Sequence, residues 1–354
     1  MTDLLSLTPD QARAALAEWL AARGEPAYRV RQIFPRLWQR PVGSWDEASN
    51  LPAALRGELA AAFPLDRPTL GAHQVSQDGT EKFLWTLADG EAIESVLIPE
   101  GKRRTLCLSS QVGCALGCVF CATGMMGFRR NLSVREIVNQ VREMVLRAPG
   151  ERPTNVVFMG MGEPLLNWAA VDVALSILNH PDGFGIGARH ITVSTVGIVP
   201  GLAELAKRPE QFRLAVSLHA PSPELRLALM PIEKKYGVSD VVAALQQFRR
   251  RVTFEYVLIG GRNDAPELAD RLAALAAPLG ALVNLLPLHP GGAPELTPSS
   301  RDRMLAFERR LRSRGVEAVL RRSRGMDISA ACGQLRVEVE GRRKVGAQEH
   351  ARVD

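Results

Sequence analysis

Apolar runs of strand length alternate with amphipathic stretches of helix length through the second two-thirds of the chain. The runs fall at residues 105–109, 155–160, 190–195, 213–219, 252–258, 281–286 and 316–320. Helices are expected between them. The clearest opens on Ser133-Val134-Arg135-Glu136, where a serine and a glutamate three residues later form a capping box. Repeated strand–helix units predict an α/β fold around a parallel sheet, closed or partly closed. In such folds the chemistry gathers beyond the C-terminal ends of the strands.

Upstream the pattern differs. Thr8-Pro9-Asp10 opens a helix with Ala14, Leu16, Trp19 and Leu20 at helical spacing, and Gly24 closes it. A second helix is expected over 28–38, made basic by Arg29, Arg31, Arg36 and the nearby Arg40. From 79 to 98 the period shortens. Asp78-Gly79 and Asp89-Gly90 are hairpin signals beside the runs Phe83-Leu84-Trp85 and Ile93-Glu94-Ser95-Val96-Leu97. Three regions follow: a helical accessory domain over 1–70, a short hairpin or linker region over 71–100, and a core barrel over 101–345 that ends in a basic segment.

A length of 354 residues, 46% hydrophobic and 23% charged, suits one large globular domain with a smaller companion. The net charge of +6 changes the picture, because it is unevenly placed. From residue 301 onward 14 Lys/Arg face 8 Asp/Glu, so this segment carries the whole excess. Lys102-Arg103-Arg104 and Arg129-Arg130 add two more basic clusters. A solvated face would look the same, but the grouping points toward phosphate, and so toward nucleic acid. The accessory domain then either caps the core or touches RNA. The N-terminus lacks a basic n-region and an apolar h-region. The longest apolar stretch, 272–283, is broken by Pro278 and Gly280, well short of the roughly 20 residues a spanning helix needs. A cytoplasmic protein with no membrane association is expected. Five cysteines, an odd number, argue against a disulfide framework.

Three of those cysteines stand close together in Cys114-Ala115-Leu116-Gly117-Cys118-Val119-Phe120-Cys121, with no fourth close behind. Structural zinc takes four ligands, commonly as two knuckles. No second knuckle follows here, and His190, His219 and His289 fall on separate strands. An electron-transfer iron–sulfur cluster would want a fourth thiolate. Three thiolates in one loop above a barrel-like sheet fit a cluster with one open iron. Gly160-Met161-Gly162-Glu163-Pro164, Ser194, Ser217-Leu218-His219 and His289 also fall at strand ends. Taken alone, Cys107 reads as a small buried strand residue, Cys332 as a packing residue, and Glu94 as a solvent-facing carboxylate.

The Cys-x3-Cys-x2-Cys spacing, with Phe120 before the last cysteine, resembles the radical S-adenosylmethionine (SAM) superfamily. Longer stretches resemble the RlmN/Cfr family of RNA adenosine methyltransferases within it. They are Thr105-Leu106-Cys107-Leu108-Ser109-Ser110-Gln111-Val112-Gly113-Cys114, Gly127-Phe128-Arg129-Arg130-Asn131-Leu132 and Arg324-Gly325-Met326-Asp327-Ile328-Ser329-Ala330-Ala331-Cys332-Gly333-Gln334-Leu335. Tyr28-Arg29-Val30-Arg31-Gln32-Ile33-Phe34 is similar to that family's helical domain.

The resemblance implies a radical SAM partial (βα)6 barrel with a small N-terminal helical domain. It implies a [4Fe-4S] cluster on Cys114, Cys118 and Cys121, with SAM at the open iron and two SAM molecules used per turnover. Gly162, Glu163, Ser194, Ser217, Leu218, His219, His289 and Phe120 would bind the cofactor. Leu288-His289-Pro290 departs from the family's frequent Trp-Asn-Pro, so His289 would bring a different donor and acceptor geometry.

Carbon 2 of adenine is not nucleophilic, and a radical route answers that problem. By resemblance, Cys332 takes a methyl group from one SAM, and a 5′-deoxyadenosyl radical from a second removes a hydrogen from it. The methylene radical adds to the base, joining enzyme and RNA. Cys107 resolves the adduct as a Cys107–Cys332 disulfide, and Glu94, or Cys107 itself, accepts the adenine proton. Implied partners are 23S rRNA before full ribosome assembly, tRNA, and an electron donor such as flavodoxin, with the protein a monomer. Two alternatives stand beside this reading. One is a Cfr-like carbon-8 methyltransferase conferring ribosomal antibiotic resistance, and the other is an RNA-binding protein with structural zinc.

Overall fold

A ten-stranded sheet organises the computed structural model, which describes residues 2–289 and 295–335. It begins with β1 (Thr69–Val75), β2 (Glu81–Thr86), β3 (Ala92–Glu100) and β4 (Arg103–Cys107). The chain then leaves it for a two-stranded ribbon, β5 (Gln111–Gly113) with β6 (Phe128–Asn131). It returns as β7 (Asn155–Phe158), β8 (Ile191–Thr195), β9 (Arg213–Ser217), β10 (Thr253–Leu258), β11 (Leu282–Pro287) and β12 (Ala318–Leu320). From β4 through β12 the neighbours in this sheet are parallel, and all seven predicted runs are recovered in chain order. β8 shows why these runs read clearly. Ile191 and Val193 are fully buried, while Thr192 and Ser194 face the other side half-buried, the period of two that a pleated strand imposes.

The N-terminal helices are α1 (Pro9–Ala21), α2 (Arg29–Ile33) and α3 (Ala53–Ala62), and the short α4 (Ala122–Met125) follows the cysteine loop. Crossovers between parallel strands use α5 (Val134–Arg147), α6 (Trp168–Asn179), α7 (Val199–Lys207), α8 (Pro223–Leu229), α9 (Val238–Leu245), α10 (Pro266–Ala276) and α11 (Arg301–Ser313). The capping box that opens α5 forms: Ser133 Oγ accepts from Glu136 N at 3.2 Å, and Glu136 Oε2 accepts from Ser133 N at 2.8 Å. At α1, Thr8 and Gln11 form a second one.

Two local expectations change. The helix expected over 28–38 stops at Ile33 and continues as a 3-10 turn, Phe34–Arg36. Pro35 has no N–H to donate and its ring crowds the preceding turn, yet Phe34, Leu37 and Trp38 remain buried. The 71–100 region is continuous with the core sheet. β1, β2 and β3 form an antiparallel meander, and β3 pairs with β4 through Val96 opposite Cys107 and Leu97 opposite Leu106. The basic segment beyond 335, Pro290 and the expected core boundary at 345 lie outside the described residues.

The helical N-terminal region docks on α5. Arg142, wholly buried, donates to the carbonyls of Leu37 and Val42 and to Asn139 Oδ1, each at 2.9 Å. Arg67 grips Glu143 with two bonds of 2.6 and 2.8 Å. Among the described residues, no helix is long and apolar enough to cross a membrane.

Candidate active site

Register decides which side chains share the inner face. Lys82 pairs with Val96, Val96 with Cys107, Cys107 with Val157, and Val157 with Thr192. Two residues along, Ser194 pairs with Ala215, and further round Ser217 pairs with Glu255, which pairs with Asn284. Side chains alternate across a pleated sheet, so Lys82, Glu94, Cys107, Ser194, Ser217, Glu255 and Asn284 fall on one face. Most apolar residues on the opposite face, such as Leu106, Val156, Val193 and Val216, are buried beneath the helices.

The cysteine loop caps this face. Cys114 N donates to Gly127 O at 2.9 Å, Cys121 N to Cys118 O at 3.1 Å, and Val119 N to Leu229 O at 3.1 Å. Gly113 has φ +71, and a Cβ there would stand 1.9 Å from Gly127 O, so only glycine permits this crossing. Burial pushes the Cys114 thiol up to about 12 and the Cys118 thiol higher still, and the charge of Cys121 adds to both. Thiols that resist ionisation alone, and that oppose one another's ionisation, need a cation to become thiolates together. Among the described residues no three His, Cys, Asp or Glu side chains converge on a single metal ion. Three soft thiol donors in one loop suit the thiolate ligation of an iron–sulfur cluster.

The loop after β7 lies against the cysteine loop's first strand. A Cβ on Gly160 would stand 2.6 Å from Leu108 O, and one on Gly162, at φ +97, 2.5 Å from Gln111 Cβ. Glu163 is 2% exposed, and its carboxylate is engaged inward. Oε1 accepts from Leu165 N at 3.0 Å and Oε2 from Val196 N at 2.9 Å. Burial nonetheless pushes this carboxyl up to about 7. The side chain therefore braces the loop against the end of β8. At the end of β9, His219 holds φ +56, a region that non-glycine residues rarely occupy. Its Nδ1 accepts from Val257 N at 3.0 Å, its carbonyl accepts from Asn263 Nδ2 at 2.8 Å, and burial lowers the imidazole to about 3, leaving it neutral. Phe120 packs edge-on against this ring, centroids 4.7 Å apart, which ties the cysteine loop to β9. His289 is hydrogen-bonded to Ser323 Oγ through Nε2.

The two remaining cysteines belong to β4 and to the arm joined to the cysteine loop. Cys107 ends β4, buried, and both it and Cys332 are free thiols. Cys332 is exposed to solvent. Burial pushes its thiol up to about 11, Glu255 adds to the rise, and Arg321 opposes it. Burial also raises Cys107, and the charge of Cys332 adds in the same direction, so the two sulfurs lie within electrostatic reach. Glu94, 4% exposed, faces inward with Oε1 3.2 Å from Lys82 Nζ, rather than outward to solvent. The segment after Cys332 is joined to the cysteine loop, with Ala122 N donating to Gly333 O at 2.8 Å.

Residues outside the sequence reading join the site. Lys82 pairs with Glu94, and Asn284 Nδ2 donates to the buried Glu255 Oε1 at 2.9 Å. Arg226, fully buried on α8, donates to Val196 O at 2.6 Å and pairs with Glu233. A charged residue inside a central strand, Glu255 between Phe254 and Tyr256, was a signal available in the sequence. Lys82 and Arg226 carried none.

Residues 108–272 match the radical SAM superfamily, and with the three-cysteine loop over a parallel sheet they define a radical SAM enzyme. The "Probable dual-specificity RNA methyltransferase RlmN" of Gemmatimonas aurantiaca is 59% identical over all 354 residues, spanning 98% of that protein. The "Dual-specificity RNA methyltransferase RlmN" of Syntrophobacter fumaroxidans is 45% identical, over 91% of this chain and 96% of that one. The crystal structure of a radical SAM methyltransferase from Sphaerobacter thermophilus, 46% identical, superposes with a TM-score of 0.89 over 96% of this chain and 100% of that one. The chain belongs to the RlmN family of radical SAM RNA methyltransferases.

Proposed function

We propose that this enzyme methylates carbon 2 of an adenosine in 23S rRNA, before the ribosome is fully assembled, and of an adenosine in some tRNAs. A [4Fe-4S] cluster on Cys114, Cys118 and Cys121, with SAM at its open iron and two SAM used per turnover, would supply the reductive cleavage that makes an unreactive methyl group reactive. An electron donor of the flavodoxin kind would feed it. Cys332 carries the methyl group as a thioether and presents it to the base. Once that carbon is bonded to the base, the Cys107 thiolate attacks the Cys332 sulfur; the S–S bond forms as the sulfur–carbon bond breaks, the carbon takes a proton to complete the methyl group, and the disulfide waits for a later reductant. Glu94, held beside Lys82, accepts the proton the ring gives up. Gly162, Glu163, Ser194, Ser217, Leu218, His219, His289 and Phe120 would hold the cofactor, with Glu163 and Phe120 also bracing the loops.

One observation supports the reading: the residue after Cys332 is tied to the residue after Cys121, with Ala122 N donating to Gly333 O at 2.8 Å, and the charge of Cys332 is felt at Cys107 on the end of β4. The names of the relatives support an RNA substrate. The test is base-resolved mass spectrometry of rRNA and tRNA from cells lacking the protein. Loss of 2-methyladenosine, restored by the gene, is expected; loss of 8-methyladenosine alone would replace this reading with the carbon-8 one.

A further inference from the structure

The arm that carries Cys332 is fastened at both ends to elements remote in sequence. At its start, Asp327 Oδ1 accepts from Ser76 Oγ at 2.5 Å and Oδ2 from Gln77 N at 3.1 Å, both in the turn between β1 and β2. In the other direction, Asp78 Oδ2, in that same turn, accepts from Gly325 N at 3.0 Å. Each segment thus offers a carboxylate to the other's donors. Gly325 has φ +62, and a Cβ there would stand 2.7 Å from Ala330 Cβ and 2.9 Å from Thr80 Cγ2, so the backbones meet without slack. Ser329 is also left-handed, at φ +51, and its carbonyl lies 3.5 Å from Lys82 Nζ, the ammonium that pairs with Glu94. At the far end, Gly333 O accepts from Ala122 N at 2.8 Å and Leu335 O from Thr123 Oγ1 at 2.7 Å, immediately after Cys121.

We propose that the β1–β2 turn is the fixed end of a two-ended mount that sets Cys332 between the cysteine loop and Cys107, with Asp327 as its positioning residue. The inference rests on the two-thiol reading above and deepens it. Cys332 has to serve two partners, a methyl donor on the cysteine-loop side and Cys107 at the end of β4. A loop tied only at Gly333 would sweep a wide volume and meet Cys107 rarely. Tying its other end to the meander, whose strand β3 pairs directly with β4, fixes the span between the two sulfurs. Through Lys82 the same meander also orients Glu94, so the thiol carrier and the proton acceptor hang from one element. That gives the hairpin region a task beyond extending the sheet.

The test is the thiol pair's effective concentration. Full-length protein with its cluster reconstituted is equilibrated, without SAM, in glutathione buffers of graded ratio. The Cys107–Cys332 disulfide is then quantified by peptide mass spectrometry. Two thiols give two electrons and two protons to glutathione disulfide, which becomes two glutathiones. Asp327→Ala removes two of the bonds at this end and leaves Gly325 N on Asp78; the loosened arm samples a larger volume, and the effective concentration should fall about tenfold. Asp327→Asn, which keeps one acceptor oxygen, should fall between. Ser76→Ala removes the partner from outside the arm and should reproduce the defect if Asp327→Ala fails to fold. Melting temperature and cluster absorbance should match the wild type, which separates positioning from general destabilisation. Wild-type disulfide equilibria in all three variants would overturn the mount. If the wild-type protein itself forms no Cys107–Cys332 disulfide at any ratio, the two-thiol reading fails and the mount falls with it.

Discussion

Arg142→Met tests how the N-terminal helices are held to the core. The guanidinium donates three bonds of 2.9 Å, two of them to the buried carbonyls of Leu37 and Val42. Bonds from a charged donor contribute about 1.5–3 kcal/mol each, and a carbonyl left unpaired in the interior costs a comparable amount. Against that stands desolvation. Burial lowers the Arg142 guanidinium to about 10 from 12.5, a cost of about 3 kcal/mol that methionine would not bear. The bonds outweigh the desolvation, and a net loss of about 2–5 kcal/mol is expected. Because the lost contacts tie the N-terminal segment to α5, the damage should be local. Hydrogen exchange across α1 to α3 should speed by roughly 30-fold or more, while β7 to β10 stay protected. Exchange in α1 to α3 within twofold of wild type would show that Arg142 fills space without fastening anything.

Four further outcomes are expected. Cys107→Ala should still acquire a methyl group on Cys332 but should co-purify with covalently bound RNA; variant free of RNA and turning over normally would remove Cys107 as resolver. Cys332→Ala should lose both the protein methylation and the adduct, read by intact-protein mass. Cys118→Ala should fail to hold iron and sulfide after anaerobic reconstitution, and a full complement of both would detach Cys118 from the cluster. Glu163, raised to about 7 by burial from 4.5, keeps in the folded state a proton that the unfolded chain releases. Its contribution to stability is therefore fully present below about pH 4.5 and lost as pH rises to about 7, an amount of roughly 3 kcal/mol. Denaturant titrations of the cluster-free protein should show that slope disappear in Glu163→Gln, and an identical slope in both proteins would refute the assignment.

How far the fold was legible follows from where each signal is stored. The parallel strands were found because each is sandwiched locally, and its apolar run is complete within five to seven residues. The 28–38 helix was overextended because its apolar positions, Phe34, Leu37 and Trp38, do pack inward. Pro35 changes only the backbone path between them. The hairpins were seen through Asp78-Gly79 and Asp89-Gly90, whose glycines take φ +81 and +83. Their union with the core was not, since pairing of β3 with β4 is a register and leaves no mark on composition.

The site divides along the same line. The cysteine triplet and the glycines at 160 and 162 are readable because spacing within a loop is a sequence property. What the sequence understated is which atoms of these motifs face inward to hold the loop. Both oxygens of Glu163 are engaged by Leu165 and Val196, so its motif position shows that the loop is rigid before it shows what the loop touches. The reverse holds for Glu94. Read alone it is a solvent carboxylate, and only the register that sets Lys82 beside Val96 turns it inward next to an ammonium. Ser76 and Asp327 stand 251 residues apart, and no local pattern could join them. Recognising Cys332 therefore required the motif around it. Recognising what holds Cys332 in place required the fold, because the hairpin that anchors its arm carries none of the chemistry itself.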